Sequence, residues 1–175
     1  MIATERLILR QWRASDYLPF AQLNADPQVM EYFPSCLTSE ESHLRAQHIQ
    51  HLIEQQGWGF WALELKASGA FIGFTGLNRP TAPFEFNPCI EVGWRLARAF
   101  WGYGYATEAA QAALAFGFGE LQLTEIVAFT AVQNQRSQAV MQRLGMSYHH
   151  DFSHPHLAEG HPLNKHCLYK ISHNA

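Results

Sequence analysis

Residues 89–105 read C-I-E-V-G-W-R-L-A-R-A-F-W-G-Y-G-Y, and residues 106–118 continue as A-T-E-A-A-Q-A-A-L-A-F-G-F. The first part has the composition of a strand, the alanine-rich part that of a helix, and G-Y-G joins them in a sharp turn. Gly102 and Gly104 admit backbone conformations that a side chain would block, so several N–H groups can converge on one point. Those donors stand at a helix N-terminus, where unpaired amides and the helix dipole together favour an anion, and a phosphate suits them. Taken alone, G-Y-G fits a plain strand-to-helix turn equally well.

Working outward, Arg6–Trp12 alternates as a strand with Leu7 and Leu9 on one face. Ser15 or Asp16 caps a helix carrying Tyr17, Leu18, Phe20, Ala21 and Leu23, and Pro27 opens a second short helix over residues 26–33. Thr38 and Glu41 form a capping box for a polar helix that runs to Gln56 and stops at Gly57. Its stripe is Leu44, Ile49, Leu52 and Ile53, with His43, His48 and His51 solvated. Residues 58–66 and 70–79 form a hairpin about A-S-G, and a Pro-rich connection leads to the strand at Ile90. Beyond the alanine-rich helix, residues 124–131 read as a strand and residues 134–145 as a helix burying Ala139, Val140 and Leu144. Two strands, 146–152 and 167–172, finish the chain.

The 175 residues make one mixed α/β domain, 1–175, and the 47% hydrophobic and 15% charged content excludes a disordered chain. A net charge of −3 gives no general attraction to nucleic acid or anionic lipid. No membrane span or signal peptide is expected, and Cys36, Cys89 and Cys167 read as reduced thiols of a cytoplasmic protein.

W-G-Y-G-Y-A-T-E-A resembles the acetyl-CoA pyrophosphate loop of the GNAT N-acetyltransferases, and N-Q-R-S-Q-A-V-M-Q-R-L-G-M resembles their following helix. With T-E-R-L-I-L-R near the start, these segments resemble the RimJ/RimL branch, which acetylates ribosomal-protein N-termini. The resemblance implies a GNAT fold, α/β of the α+β kind, with about six to seven strands in a mixed sheet, about four helices and splayed central strands. It implies acetyl-CoA as cosubstrate, no metal, and a primary amine as acceptor. Trp94, Arg98, Ala99, Trp101, Gly102, Tyr103, Gly104, Tyr105, Ala106, Asn134 and Ser137 become the acetyl-CoA-binding set. Ala99 departs from the Gln or Arg common there, and Arg98 either supplies the charge or is a solvated strand-end cation.

By the same resemblance, a strand N–H near Trp94 faces the thioester carbonyl. Ser137 donates to the departing sulfur, because the position that holds tyrosine in many family members is Met141 here; otherwise Ser137 is a surface hydroxyl and the thiolate leaves unaided. Asn134 contacts the pantetheine or caps its helix. Glu91, a carboxylate inside a strand, is the expected general base, directly or through water, unless it only pairs with Arg95 on the same face. Glu85, Trp58 and His154 are the expected acceptor contacts, with Phe60 and Trp61 beside Trp58, and Glu108 serves the helix dipole. Seven of the ten histidines follow Tyr148, yet none falls in a metal-enzyme pattern such as H-E-x-x-H. An α-amine, with a pKa of about 8, suits one weak carboxylate base better than a lysine at about 10.4. This agrees with the RimJ/RimL resemblance, which implies a protein or peptide N-terminus as acceptor, and small-molecule amines of lowered pKa fit the pKa argument equally well. The alternatives are a polyamine or antibiotic amine, a non-catalytic acyl-CoA-binding regulator and, last, a histidine-based metal hydrolase. A monomer or a homodimer fits equally.

Overall fold

The computed structural model describes residues 1–173. Its strands are β1 (Ile2–Ala3), β2 (Leu7–Arg10), β3 (Phe60–Leu65), β4 (Ala70–Asn78), β5 (Glu91–Leu96), β6 (Glu125–Ala131), β7 (Ser147–Ser153) and β8 (Lys165–Ser172). Its helices are α1 (Tyr17–Ala25), α2 (Ser39–Gln56), α3 (Tyr105–Gly119) and α4 (Gln135–Arg143). The strands form one sheet in the order β1-β2-β3-β4-β5-β6-β8-β7. Eight strands exceed the expected six to seven. The unforeseen one, β1, has two residues, too few for an alternating pattern.

Every neighbouring pair is antiparallel except β5 and β6, which run parallel and share one register pair, Glu91 with Val127. On either side the ladders are long: β4–β5 runs from Gly73/Leu96 to Asn78/Glu91, and β6–β8 from Glu125/Ser172 to Ala131/His166. Each half is thus braced by its own hydrogen bonds, and the halves part at one seam beyond Glu91. The splayed strands of the sequence reading are present.

Alternation along β4 and β5 assigns the two faces. Phe74, beside Arg95 in register, meets Phe20 of α1 at 5.9 Å between ring centroids. On the other face Leu77 lies under α3, so close that a Cβ on Gly117 would stand 2.9 Å from Leu77 Cδ1 and 2.7 Å from Ile126 Cδ1. Leu7, Leu9, Phe20, Leu63, Ile72 and Ile126 anchor the main core. A second cluster sits on the far half, where Phe84 and Phe86 of the loop 80–88 stack and close over Phe129 and Phe152.

Two local expectations are corrected. Residues 26–33 make turns, not a helix: Met30 N–H bonds to Asp26 O and Phe33 N–H to Met30 O, and the segment stops before Pro34. One turn without propagation is unfavourable alone, and Val29 and Met30 are buried in irregular backbone instead. On α2, Leu44 is 59% exposed, whereas Ser42, Ala46, Ile49 and Ile53 face inward. The helix turns its inner face by small residues that the apolar pattern does not mark. The Thr38–Glu41 capping box is formed as expected, with Glu41 N–H on Thr38 Oγ1 at 3.2 Å and Thr38 N–H on Glu41 Oε2 at 2.7 Å.

Candidate active site

The G-Y-G turn and the start of α3 build the first part of the site. Gly102 and Gly104 both have φ of +83°, a conformation that other residues seldom adopt. Gly104 is the N-cap of α3 and brings no capping side chain. The amides of residues 102–107 consequently have no acceptor among the described residues. Arg6 steadies the turn from behind, donating from Nη1 to Tyr103 O at 2.9 Å and lying 4.7 Å from the Tyr105 ring. Glu108 binds Arg6 Nε at 2.7 Å and Thr4 Oγ1 at 2.6 Å. Burial opposes its ionisation, but these hydrogen bonds outweigh burial and hold its carboxyl below the usual range. It ties α3 to the chain start besides standing in the helix's first turn.

Trp101, Gly102, Tyr103, Gly104, Tyr105 and Ala106 all line one cleft of about 2010 Å³. Arg98 and Ala99 do not: Arg98 reaches Asp26 at 3.8 Å and Gln28 beside it. The cation over this stretch is Arg136 in the first turn of α4, 4.5 Å from the Trp101 ring and 2.8 Å from Glu31. Sequence reasoning missed it, although it sits inside the N-Q-R-S motif.

The seam between β5 and β6 forms the next part. Ala97 N–H donates to Ile72 O, and Ile90 O accepts from Val127 N–H. These bonds fix the phase of β5: Gly93 and Arg95 turn their peptide groups to β4, while Trp94 turns its N–H to the parted side. Across the seam, Asn134 caps α4, its Oδ1 accepting from Ser137 N–H at 3.2 Å. Its Nδ2 donates to Thr130 Oγ1 at 2.9 Å and to Ser137 Oγ at 3.1 Å. Because Ser137 Oγ accepts that bond, its own proton can turn into the cleft. Met141, one turn further, is 2% exposed and offers no donor.

Glu91 stands where the seam opens. It is half-buried and accepts from Asn78 Nδ2 at 2.7 Å. Burial pushes its carboxyl up to about 7, against the opposing pull of the Asn78 bond. The ion pair with Arg95 is not formed: Arg95 turns to Asn24 Oδ1, 2.7 Å away, and to the Phe33 ring. Four residues along one strand face, roughly 13 Å of rise, separate the two charges.

The acceptor contacts read from sequence are only partly assembled. Phe60 lines the cleft, but Trp58 does not, and Trp61 packs edge-on to Phe116 in the core. Glu85 is exposed outside the cleft and pairs with His150 at 2.8 Å. His154 does line it, with Phe84, Phe129, His156, Leu157 and His166. Its ring is 4.8 Å from that of His166. Burial lowers both imidazoles, His154 also feeling His156, and brings His166 to about 4, which favours the uncharged form of each. No group of three or more His, Cys, Asp or Glu among the described residues could hold a metal ion. No described helix is long and apolar enough to cross a membrane.

Comparison with known proteins places this geometry in context. The family described as Acetyltransferase (GNAT) domain matches residues 6–147. The chain is 32% identical over 148 residues to the uncharacterized protein YkkB of Bacillus subtilis, covering 84% of this chain and 85% of that one. It is 31% identical over 136 residues to the FsC-acetyl coenzyme A-N(2)-transacetylase of Aspergillus fumigatus, 73% of this chain and 56% of that protein. Among solved structures, an acetyltransferase of the GNAT family from Bacillus anthracis superposes with a TM-score of 0.82 at 25% identity, covering 98% of this chain and 97% of that one. RimL, a ribosomal-protein alpha-N-acetyltransferase in complex with coenzyme A, shares the fold at a TM-score of 0.76 and 19% identity, over 98% of this chain and 96% of that one.

Proposed function

The chain belongs to the GNAT acetyltransferase family and uses acetyl-CoA, and from that premise we propose that it acetylates an α-amine, with Glu91 as general base. The observation that carries this reading is the Glu91 carboxyl near 7 at the mouth of the seam. Moving a proton from an α-amine of pKa about 8 to such a base costs about 1.4 kcal/mol; from a lysine at about 10.4 it costs about 4.6 kcal/mol. The base is matched to the first and poor for the second.

The other residues take complementary roles. Acetyl-CoA supplies the acyl group. The bare amides of residues 102–107 hold its diphosphate, with Arg136 adding charge at the rim. The Trp94 N–H, on the parted side of β5, offers a fixed donor to charge that develops on the acyl oxygen. Ser137 Oγ, positioned by Asn134, gives a proton or hydrogen bond to the departing sulfur. No covalent intermediate on the protein is required.

Among protein and small-molecule acceptors, a peptide N-terminus has the support of the open cleft of about 2010 Å³ and of its lining, in which Glu41 and Glu91 are the carboxylates. A polyamine with several cations would call for more. A second reading, a small-molecule amine, draws on the likeness to the Aspergillus transacetylase.

The test compares two peptides of one sequence, one with a free N-terminus and acetylated lysine, the other with the reverse. Thiol release should be faster for the free N-terminus by roughly 100-fold or more in kcat/KM. Equal rates, or a preference for lysine, would overturn the α-amine assignment.

A further inference from the structure

Arg95 is 7% exposed, and what surrounds it does not neutralise it. Its Nη1 donates to Asn24 Oδ1 at 2.7 Å, a neutral partner itself tied to Ser42 through Nδ2 at 2.8 Å. Its Nε is buried and has no hydrogen-bond partner among the described residues. The guanidinium lies 4.0 Å from the Phe33 ring and 5.4 Å from that of Phe74. Arg10 of the same chain shows the alternative arrangement. At 5% exposed it is clamped by Asp16 at 2.6 and 2.9 Å and by Glu64 at 2.6 Å. A buried cation without such a clamp is costly, since desolvation is not repaid.

A second arginine faces the same space. Arg45 of α2 shares with Arg95 both the main cleft and an adjoining recess of about 210 Å³, lined also by Met30, Phe33, Pro34 and Leu37. Burial, then repulsion from Arg45, lowers Arg95 to about 9. Glu41, one turn before Arg45, spends its carboxylate on Thr38 N–H, and Arg98 pairs with Asp26. Neither Arg45 nor Arg95 forms an ion pair among the described residues.

We propose that Arg95 and Arg45 form an anion subsite that receives a carboxylate of the acceptor. The proposal rests on the reading of the cleft as an acetyl-acceptor site. Glu91 and Arg95 project from one face of β5, four residues apart, roughly 13 Å along the strand. An acceptor whose amine meets Glu91 can lay a carboxylate against the guanidinium from within that span. A short peptide segment with an acidic side chain near its N-terminus, or with a free C-terminus two or three residues on, has these dimensions. Arg95 then acts as a specificity residue: bound acceptor supplies the counter-charge that the fold withholds.

The test uses the full chain and two arms. The first compares Ala-Ala-Glu-amide with Ala-Ala-Gln-amide in thiol release. The acidic peptide should be preferred roughly 10- to 100-fold in kcat/KM, chiefly through KM. Arg95→Met should erase the preference, and Arg45→Gln, on the exposed face of α2, should reduce it. The second arm reads melting temperature with glutarate against glutaramide, without acetyl-CoA. Glutarate alone should stabilise wild type, and Arg95→Met should lose that response while melting no lower than wild type in buffer.

A wild-type enzyme indifferent to the acid, or an Arg95→Met variant that keeps the preference, would overturn the subsite while leaving the acetyltransferase reading intact. A large fall in melting temperature for Arg95→Met would mark a purely structural arginine and overturn it too. If neither peptide is acetylated, the α-amine reading fails, and the glutarate arm still decides whether the two arginines bind a carboxylate.

Discussion

At Glu91 the same burial that would suit the side chain to the proposed proton transfer weakens the fold. Its carboxyl is raised to about 7 from an unfolded value of 4.5. The native state therefore holds a proton that the unfolded chain releases between those values. Stability from this group is full below pH 4.5 and is lost as pH rises through 7. Glu91→Gln removes the loss while keeping a group that can bond Asn78. The variant should melt higher than wild type at pH 8 and show little difference at pH 4.5, as read by scanning calorimetry at the two values. A variant that melts lower at pH 8 would show the carboxylate to be stabilising. Ser137→Ala should lower kcat for acetyl transfer roughly tenfold or more with little change in acetyl-CoA affinity, as separated by single-turnover kinetics and calorimetric titration. A loss confined to affinity would make the hydroxyl a binding contact. Glu91 could be picked out as a candidate because a carboxylate within a strand is unusual, and Ser137 because it follows Asn134 by one turn in a family-like motif whose usual tyrosine position is Met141. Arg95 was legible only as a partner for Glu91, since nothing in one strand reveals that Asn24 and Phe33 fold over it from elsewhere.

Among elements, the G-Y-G turn with α3 carries the most explicit demand on sequence. A Cβ on Gly102 would meet no atom within 4 Å, and one on Gly104 only Arg6 Nη2 at 3.5 Å. The requirement at both is conformational, set by φ of +83°. Gly104→Val should abolish the rise in melting temperature that acetyl-CoA gives wild type, about 2.7 kcal/mol of stabilisation at 100 times its dissociation constant. Retained stabilisation would detach the turn from coenzyme binding. This element could be read from residues 89–118 because strand, glycines and helix are contiguous. The segment 26–33 could not: Pro27 and a run of apolar residues promise a helix, yet the same residues are consumed in covering the sheet. Trp58 and Glu85 fail for a related reason. Their chain positions flank the site, but both sit in irregular backbone, Trp58 before β3 and Glu85 in the turn of the loop 80–88, where no sequence pattern sets side-chain direction, and both end outside the cleft.

For the molecule as a whole, the sheet is two braced halves joined at one register pair; the main apolar cluster runs across both, and a second, smaller cluster covers the far half alone. Order of elements and family motifs disclosed the halves; the loop 80–88, read as a connection, gave no sign that Phe84 and Phe86 roof the far half or that Phe84 lines the cleft. Phe84 is 6% exposed and touches Phe86, Phe129, Phe152 and His154. Phe84→Ala should cost about 3–5 kcal/mol in urea unfolding and raise the acceptor KM while leaving acetyl-CoA affinity unchanged. An equal loss of acetyl-CoA affinity would mean that Phe84 supports the coenzyme side of the cleft as well.

The most direct measurement is the pH dependence of kcat/KM for a peptide with a free N-terminus, in wild type and Glu91→Gln. The wild-type profile should bend at a pKa near 7 below that of the amine, and the variant should lose that bend together with roughly 100-fold or more of its rate at neutral pH. A variant that keeps both the bend and the rate would contradict Glu91 as the base and, with it, the assignment of the cleft to α-amines.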